Sequence, residues 1–256
     1  MLRGGAVAVA WALREGKGEA ALASEALAVL QMSEEAVRHP AGLEAGLELL
    51  EAVAGQYPPL PPEQLSALTG SLVRRTEEGR SGPVGQRCWA ALQEVVRTGH
   101  DPGGRLVALA DLVDAARHPV MVALLLGLAK EEAQRCWGGV EEAFVSPPLL
   151  RLVGRVLRPQ GDLPDLPHDS EAVLAALNLY RFLLLREVAA GSNSTGCLTA
   201  EMRAVGREQW LLPLRPAAHA ALDMVRSSGE EGALLMTTLT VESVLYRCLE
   251  IVEGGG

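Results

Sequence analysis

Short helical segments of similar length, separated by prolines, are the main pattern along this sequence. Leucines and valines recur at the three- and four-residue spacing of one helix face. Two examples are Leu65, Leu68, Leu72 and Val73, and later Leu106, Leu109, Leu112 and Val113. No stretch shows the strict alternation of apolar and polar residues that marks a half-buried strand. The pattern therefore predicts an all-α protein.

Proline marks the predicted start of most of these helices, where its missing N–H would have no helical partner. In the first half, helices are predicted over 19–37, 43–53, 63–78, 83–97, 101–117 and 118–137. Their starts lie about 20 residues apart, so a helix pair occupies about 40 residues, the repeat length of HEAT and armadillo solenoids. The predicted fold is a HEAT/armadillo-like helical repeat (α-solenoid). A compact helical bundle is the alternative that the same periodicity allows.

The spacing is less regular beyond residue 138. Helices are predicted over 149–157, 173–187 and 233–252, and the segment before the last of these is bent by Pro213 and Pro216. The helix over 173–187 is apolar almost all round, which is typical of a helix in the middle of a packed array. We therefore divide the chain into HEAT-like repeats (1–138), a C-terminal helical region continuous with them (139–253) and a disordered tail (254–256).

Composition narrows the function classes. Hydrophobic residues make up 48% of the 256 residues but aromatic ones only 4%, which predicts a core of Leu, Val and Ala. The net charge of −9 argues against nucleic acid as the main partner, because phosphate binding needs clustered Lys and Arg. The longest apolar run, 120–129, is too short to cross a bilayer, and no signal peptide is expected. Four widely spaced cysteines indicate buried, reduced thiols of a cytoplasmic protein.

No motif for catalysis, cofactor binding or metal binding is present. The sequence has no nucleotide-binding glycine loop, no HExxH and no close pair of His or Cys ligands. An all-α enzyme is therefore the weakest alternative. The best candidate partner-binding site is in the C-terminal third, where Arg203, Arg207 and Arg215 accompany Trp210, because Arg and Trp are enriched at interface hot spots.

Several C-terminal segments resemble the glomulin family. The segment 170–183 (SEAVLAALNLYRFL) is similar to its SLNLLRYL helix, and 193–198 (NSTGCL) resembles its N-x-T-G-L turn. The segments 210–214 (WLLPL) and 241–250 (VESVLYRCLE) are similar to its FLKPL and LIESVLARVEEL motifs. Upstream, 42–51 (GLEAGLELLE) is similar to its KGLELLE helix. Their order and spacing match the C-terminal part of the longer family chain, although the loop over 227–232 is shorter here.

This resemblance implies a non-enzymatic HEAT-like protein that binds the RING domain of the RING-box subunit of cullin-RING (SCF-type) ubiquitin ligases. Such binding masks the surface for the ubiquitin-conjugating enzyme and inhibits ubiquitination. The resemblance assigns the contact to the C-terminal region, and it also implies links to immunophilins and to vasculature development. The alternative is a general α-solenoid scaffold or immunophilin-binding adaptor without ligase inhibition. No cofactor, nucleic acid or membrane partner is expected.

Overall fold

A computed structural model describes residues 36–37, 42–53, 62–79, 82–99, 101–139, 142–228 and 232–254. Within these ranges, helices are joined by turns and no residue is in a β-strand. The fold is all-α and of the helical-repeat class, which confirms the predicted fold class. Apart from its last two residues, the helix predicted over 19–37 lies outside the described residues. The chain divides into two compact units, residues 1–116 and 117–256.

The described part of the first unit is built from four short helices, three of which begin at a proline. These are α1 (Leu43–Val53), α2 (Pro62–Glu78), α3 (Pro83–Gly99) and α4 (Pro102–Ala115). The Asp101 carboxylate accepts a hydrogen bond from the Gly104 N–H at 2.6 Å and so caps α4. Helix α3 packs against α1, α2 and α4. The core between them consists of leucines on the predicted faces: Leu47, Leu50, Leu65, Leu68, Leu72, Leu92 and Leu109.

The second unit is arranged around one long helix. Its elements are α5 (Pro119–Cys136), α6 (Pro147–Leu157), a 3₁₀-helical turn (Pro159–Gly161), α7 (Ser170–Ala190), α8 (Ala200–Val205), a π-helical segment (Gly206–Leu211), α9 (Leu212–Ser228) and α10 (Ala233–Gly254). Helix α7 packs against α5, α6 and α10, and α9 packs against α10. The prediction that this apolar helix lies in the middle of the array is confirmed. Among the described residues, no helix has both the length and the hydropathy needed to cross a bilayer.

Helix α5 belongs to the second unit by its contacts. It begins directly after the boundary between Ala116 and Arg117, and it packs against α7. The boundary after residue 138 was predicted from a change in proline spacing. Proline spacing does not show which helices pack against each other. That division into functional regions stays a prediction.

The chain just before Pro213 forms the π-helical segment, in which the Leu212 N–H donates to the Arg207 carbonyl five residues earlier. Such segments are rare and occur mostly as single turns inside α-helices. Pro213 and Pro216 both lie inside α9, and the bend predicted at them stays a prediction. Pro213 has no N–H to donate to the carbonyl four residues earlier, that of Gln209. The Arg158 guanidinium, from the end of α6, donates to this oxygen at 3.4 Å instead. The irregular turn is therefore supported from a neighbouring helix.

Candidate protein-binding surfaces

Trp210, the aromatic residue of the predicted partner-binding site, lies in the core of the second unit. Its side chain is only 6% exposed. Its ring packs edge to face on Tyr180 of α7, with centroids 5.4 Å apart and an interplanar angle of 77°. Its other neighbour is Gly154 of α6, where a Cβ would lie 2.8 Å from the indole. Trp210 therefore anchors the π-helical segment to α6 and α7 and offers no open ring face to a partner.

Replacing Gly154 by alanine is expected to destabilise the protein by about 1–3 kcal/mol, because the added methyl group overlaps the buried Trp210 ring. Gly127→Ala is the matched control. Gly127 also lies inside a helix, α5, but a Cβ there meets nothing within 4 Å. The control is expected to stabilise the protein by about 0.5–1 kcal/mol, since alanine loses less backbone entropy. Urea unfolding of both variants measures the two effects, and equal shifts would show that Trp210 does not pack on α6 as described.

The predicted arginines occupy a different surface, the α9–α10 face, which we define as Arg207, Arg215, His219, Glu242, Tyr246 and Glu253. Arg207 Nε lies 3.0 Å from the Glu253 carboxylate. Arg215 Nε donates to the Tyr246 hydroxyl at 3.0 Å, and its Cζ lies 5.0 Å from that ring centroid. Residue numbers rise along the π-helical segment and α9 while those of the partners fall along α10, so α10 runs antiparallel to both.

This face is already internally paired. His219 Nδ1 lies 3.0 Å from the Glu242 carboxylate. Arg203, the fourth predicted residue, is half-buried on α8 and also has interactions within the protein. The structure thus separates the predicted set: Trp210 is inside, while Arg207 and Arg215 lie outside with intramolecular partners. A partner that bound here would have to break these contacts before making its own. Exposed ion pairs of this kind contribute little net free energy of binding.

A second surface was missed by the sequence analysis: a cluster of two aromatic rings and two cations, Lys130, Trp137, Phe182 and Arg186. The rings of Trp137 and Phe182 meet edge to face at 5.7 Å. Arg186 Cζ lies 5.9 Å from the Trp137 centroid and 5.6 Å from the Phe182 centroid. Lys130 Nζ lies 5.8 Å from the Phe182 centroid. Trp137 and Phe182 are half-buried and Arg186 is exposed, so this aromatic–cation cluster is open to solvent.

An open cleft of about 640 Å³ begins at Trp137. We call it the Trp137 cleft. Its walls come from the end of α5, the start of α6 and the loop after α7, and include Cys136, Trp137, Glu142, Pro147, Ser192 and Ser194. The cleft is therefore concave, is formed by three chain segments and shares Trp137 with the aromatic–cation cluster.

The buried carboxylate of Glu187 fixes the loop after α7, which forms one wall of this cleft. Glu187 is fully buried, and it accepts hydrogen bonds from Ser192 Oγ at 2.5 Å and from the Thr195 N–H at 2.6 Å. Burial alone raises the pKa of this carboxyl, but these hydrogen bonds outweigh burial and hold the pKa of Glu187 below its ordinary value. Gly191, which ends α7 in the left-handed conformation at φ 61°, starts the loop. The rim residue Ser192 is thus fixed by α7.

As predicted, the four cysteines are buried and form no disulfide bond: Cys88, Cys136, Cys197 and Cys248. Burial raises the pKa of Cys197 to about 11 and that of Cys248 to about 12, which keeps both protonated at neutral pH. Within the described ranges, no group of three His, Cys, Asp or Glu side chains is arranged to hold a metal ion.

Comparison with known proteins changes the predicted identity. No family model matches the chain. Aberrant root formation protein 4 of Arabidopsis thaliana is 39% identical over 162 residues, covering 58% of this chain and 26% of the relative. The chain thus spans about a quarter of that protein's length. The glomulin identification is wrong, because the relative found is this plant protein. Most of the motifs behind that identification are Leu-rich helix-core patterns, which unrelated helical proteins share.

Proposed function

We propose that this chain is a non-enzymatic helical-repeat protein that binds a protein partner at the Trp137 cleft. The aromatic–cation cluster carries the proposal. Trp and Arg dominate binding energy at interfaces, and a ring already packed on its neighbour loses little rotamer freedom on binding. Here Arg186 lies over the ring of Trp137, and Trp137 in turn lines a concave space. A helical-repeat framework suits this role, because stacked helices present extended surfaces.

The α9–α10 face is the less favourable site, although it carries Arg207 and Arg215 of the predicted set. Its cations already contact Glu253 and Tyr246. Breaking such contacts offsets the energy of making new ones. In the aromatic–cation cluster, by contrast, the contacts of Arg186 are with ring faces and remain in place when a partner arrives.

The proposal includes no reaction on the partner. The buried thiols have raised pKa values at Cys88, Cys197 and Cys248, and a protonated buried thiol is a poor nucleophile. Four cysteines without a disulfide bond also fit a reducing compartment, so we propose a cytoplasmic location.

The RING domain of a RING-box subunit is the first partner to test, with ligase inhibition as the resulting activity. RING-domain binding and ligase inhibition were implied by the glomulin resemblance. Support for them must therefore come from a binding and inhibition assay. Immunophilins are the second partner, for the alternative adaptor function. The relative's name refers to root formation, so plant root tissue is one place in which to search for partners.

Trp137→Ala is expected to weaken partner binding by about tenfold to thirtyfold, which is the loss typical of a hot-spot aromatic residue. The purified chain is titrated by calorimetry into a neddylated cullin–RING-box complex and, separately, into an immunophilin domain. Ubiquitin-chain formation is followed in parallel with the ligase. Met236→Ala is the matched control, because Met236 on α10 is a large apolar side chain, 62% exposed, that does not line the cleft.

The control is expected to bind within about twofold of the native chain. Binding without slower ubiquitin-chain formation would favour the adaptor function over ligase inhibition. If the chain does not bind the ligase complex, the RING domain is not its partner. Equal losses for Trp137→Ala and Met236→Ala would show that the partner does not bind at the Trp137 cleft.

A further inference from the structure

Lys130 and Arg186 are two neighbouring cations of the second unit that share one aromatic ring, that of Phe182. Arg135 pairs with Glu132, and Arg207 pairs with Glu253. Lys130 and Arg186 instead lie over ring faces, and within the described ranges no carboxylate contacts either of them. The chain has 32 acidic residues against 23 Lys and Arg. In so acidic a protein, two neighbouring cations without a counter-charge point to a counter-charge from outside.

The rings hold these cations in place. Both lie within 6 Å of the Phe182 centroid, and Arg186 also lies within 6 Å of the Trp137 centroid. A ring face attracts the positive charge but accepts no conventional N–H hydrogen bond. The N–H donors of the guanidinium are therefore available to a carboxylate, which arginine binds with two parallel hydrogen bonds. Such a preplaced arginine loses less side-chain entropy on binding than a fully solvated one.

We propose that the Trp137 cleft takes an acidic segment of the partner protein, with carboxylates bound by Arg186 and Lys130 and neighbouring apolar side chains on Trp137. This inference rests on the proposed function and names the chemistry of the partner. The apolar contact is supplied by Trp137 and Pro147, which line the same cleft. The two cations select an acidic segment over a neutral one, while the rings contribute buried apolar area.

The net charge of −9 does not prevent this binding. At physiological ionic strength, charges in solvent are screened over about 8 Å, so distant acidic residues contribute little at the cluster. The acidic residue on the cleft wall, Glu142, is exposed and solvated. Contacts at hydrogen-bond distance with Arg186 and Lys130 therefore outweigh the long-range repulsion.

The test uses a fluorescein-labelled decaglutamate peptide and the full chain in a fluorescence-anisotropy titration. Lys130→Glu combined with Arg186→Glu is expected to weaken binding by about tenfold or more. The matched control is Arg226→Glu combined with Arg247→Glu, which reverses two exposed arginines on α9 and α10. Both double variants change the net charge by the same amount, so only a local effect separates them. Thermal unfolding followed by circular dichroism checks that both remain folded.

We expect decaglutamate to bind, decaglutamine to bind at least tenfold more weakly, and the control variant to bind within about twofold of the native chain. Decaglutamate that does not bind at about 1 mM overturns the inference. Equal losses in the two double variants, or equal binding of decaglutamine, also overturn it. If the calorimetric partner binding still depends on Trp137 in that case, the proposed function stands and only the acidic chemistry is wrong.

Discussion

Replacing Glu187 by glutamine is expected to lower the free energy of unfolding by about 2–3 kcal/mol, since hydrogen bonds to a charged group are lost. The fully buried carboxylate accepts from Ser192 Oγ and from the Thr195 N–H. A glutamine side chain has one oxygen for the Thr195 N–H, and its uncharged NH₂ group then faces Ser192 Oγ, whose hydroxyl must accept instead of donating. Urea unfolding of the whole chain, followed by circular dichroism, measures the loss.

Glu171→Gln is the matched control for this experiment. Glu171 is also on α7, but its side chain is exposed in the first turn of the helix. The control is expected to stay within about 0.5 kcal/mol of the native chain. Losses of the same size for both variants would mean that the buried contacts of Glu187 do not stabilise the loop after α7.

Lowering the pH is expected to reduce the contribution of the Glu187 carboxylate to the free energy of unfolding. Its pKa in the folded state is held below its ordinary value, which is about 4.3 in an unfolded chain. A lowered folded pKa stabilises the protein fully above the unfolded pKa, and this contribution is lost as the pH falls through the folded pKa. The stability gap between the native chain and Glu187→Gln therefore narrows below about pH 4.3. A gap that stays constant from pH 6 to pH 3 would contradict the lowered pKa.

Gly206→Ala is expected to destabilise the protein by about 1–3 kcal/mol. A Cβ at this position would lie 2.3 Å from the Tyr180 hydroxyl oxygen. That ring is fully buried and packs on Trp210, so it has little room to move. Tyr180→Phe removes the oxygen, which is buried and has no hydrogen-bond partner among the described residues. This variant alone is expected to be neutral or to stabilise by about 1 kcal/mol.

The double variant tests the contact itself. If the overlap with the hydroxyl causes the loss, Gly206→Ala costs at least about 0.5 kcal/mol less in the Tyr180→Phe background. Urea unfolding of the four proteins gives this coupling energy. Additive effects would place the strain elsewhere in the π-helical segment.

Helix boundaries were predictable because their signals are local. Proline at positions 83, 102 and 119 begins α3, α4 and α5, and the Asp101 cap acts on an N–H only three residues away. The central place of α7 was also predictable, because a helix that is apolar on most sides has no face to leave in water. Helix-level features of this fold therefore follow from spacing along the chain.

The binding surface was not predictable in the same way. The aromatic–cation cluster depends on which helix packs beside α7, since Lys130 and Trp137 come from the α5 side. The available signal was the four-residue spacing of Phe182 and Arg186, which puts them on one side of α7. Trp210 was misplaced because helical periodicity does not show where a π-helical turn changes the register. Glu187 was missed because its hydrogen-bond partners lie in the loop after α7, and no sequence motif marks such a buried carboxylate.

The burial of all the cysteines has a practical consequence for spectroscopy. Thiol reagents label exposed thiolates, and the native chain keeps Cys88, Cys136, Cys197 and Cys248 inside. An added surface cysteine therefore reacts first, without removal of the native ones. Dyes or spin labels can thus be placed one at a time around the Trp137 cleft, and distances to a bound partner can be measured on an otherwise unaltered protein.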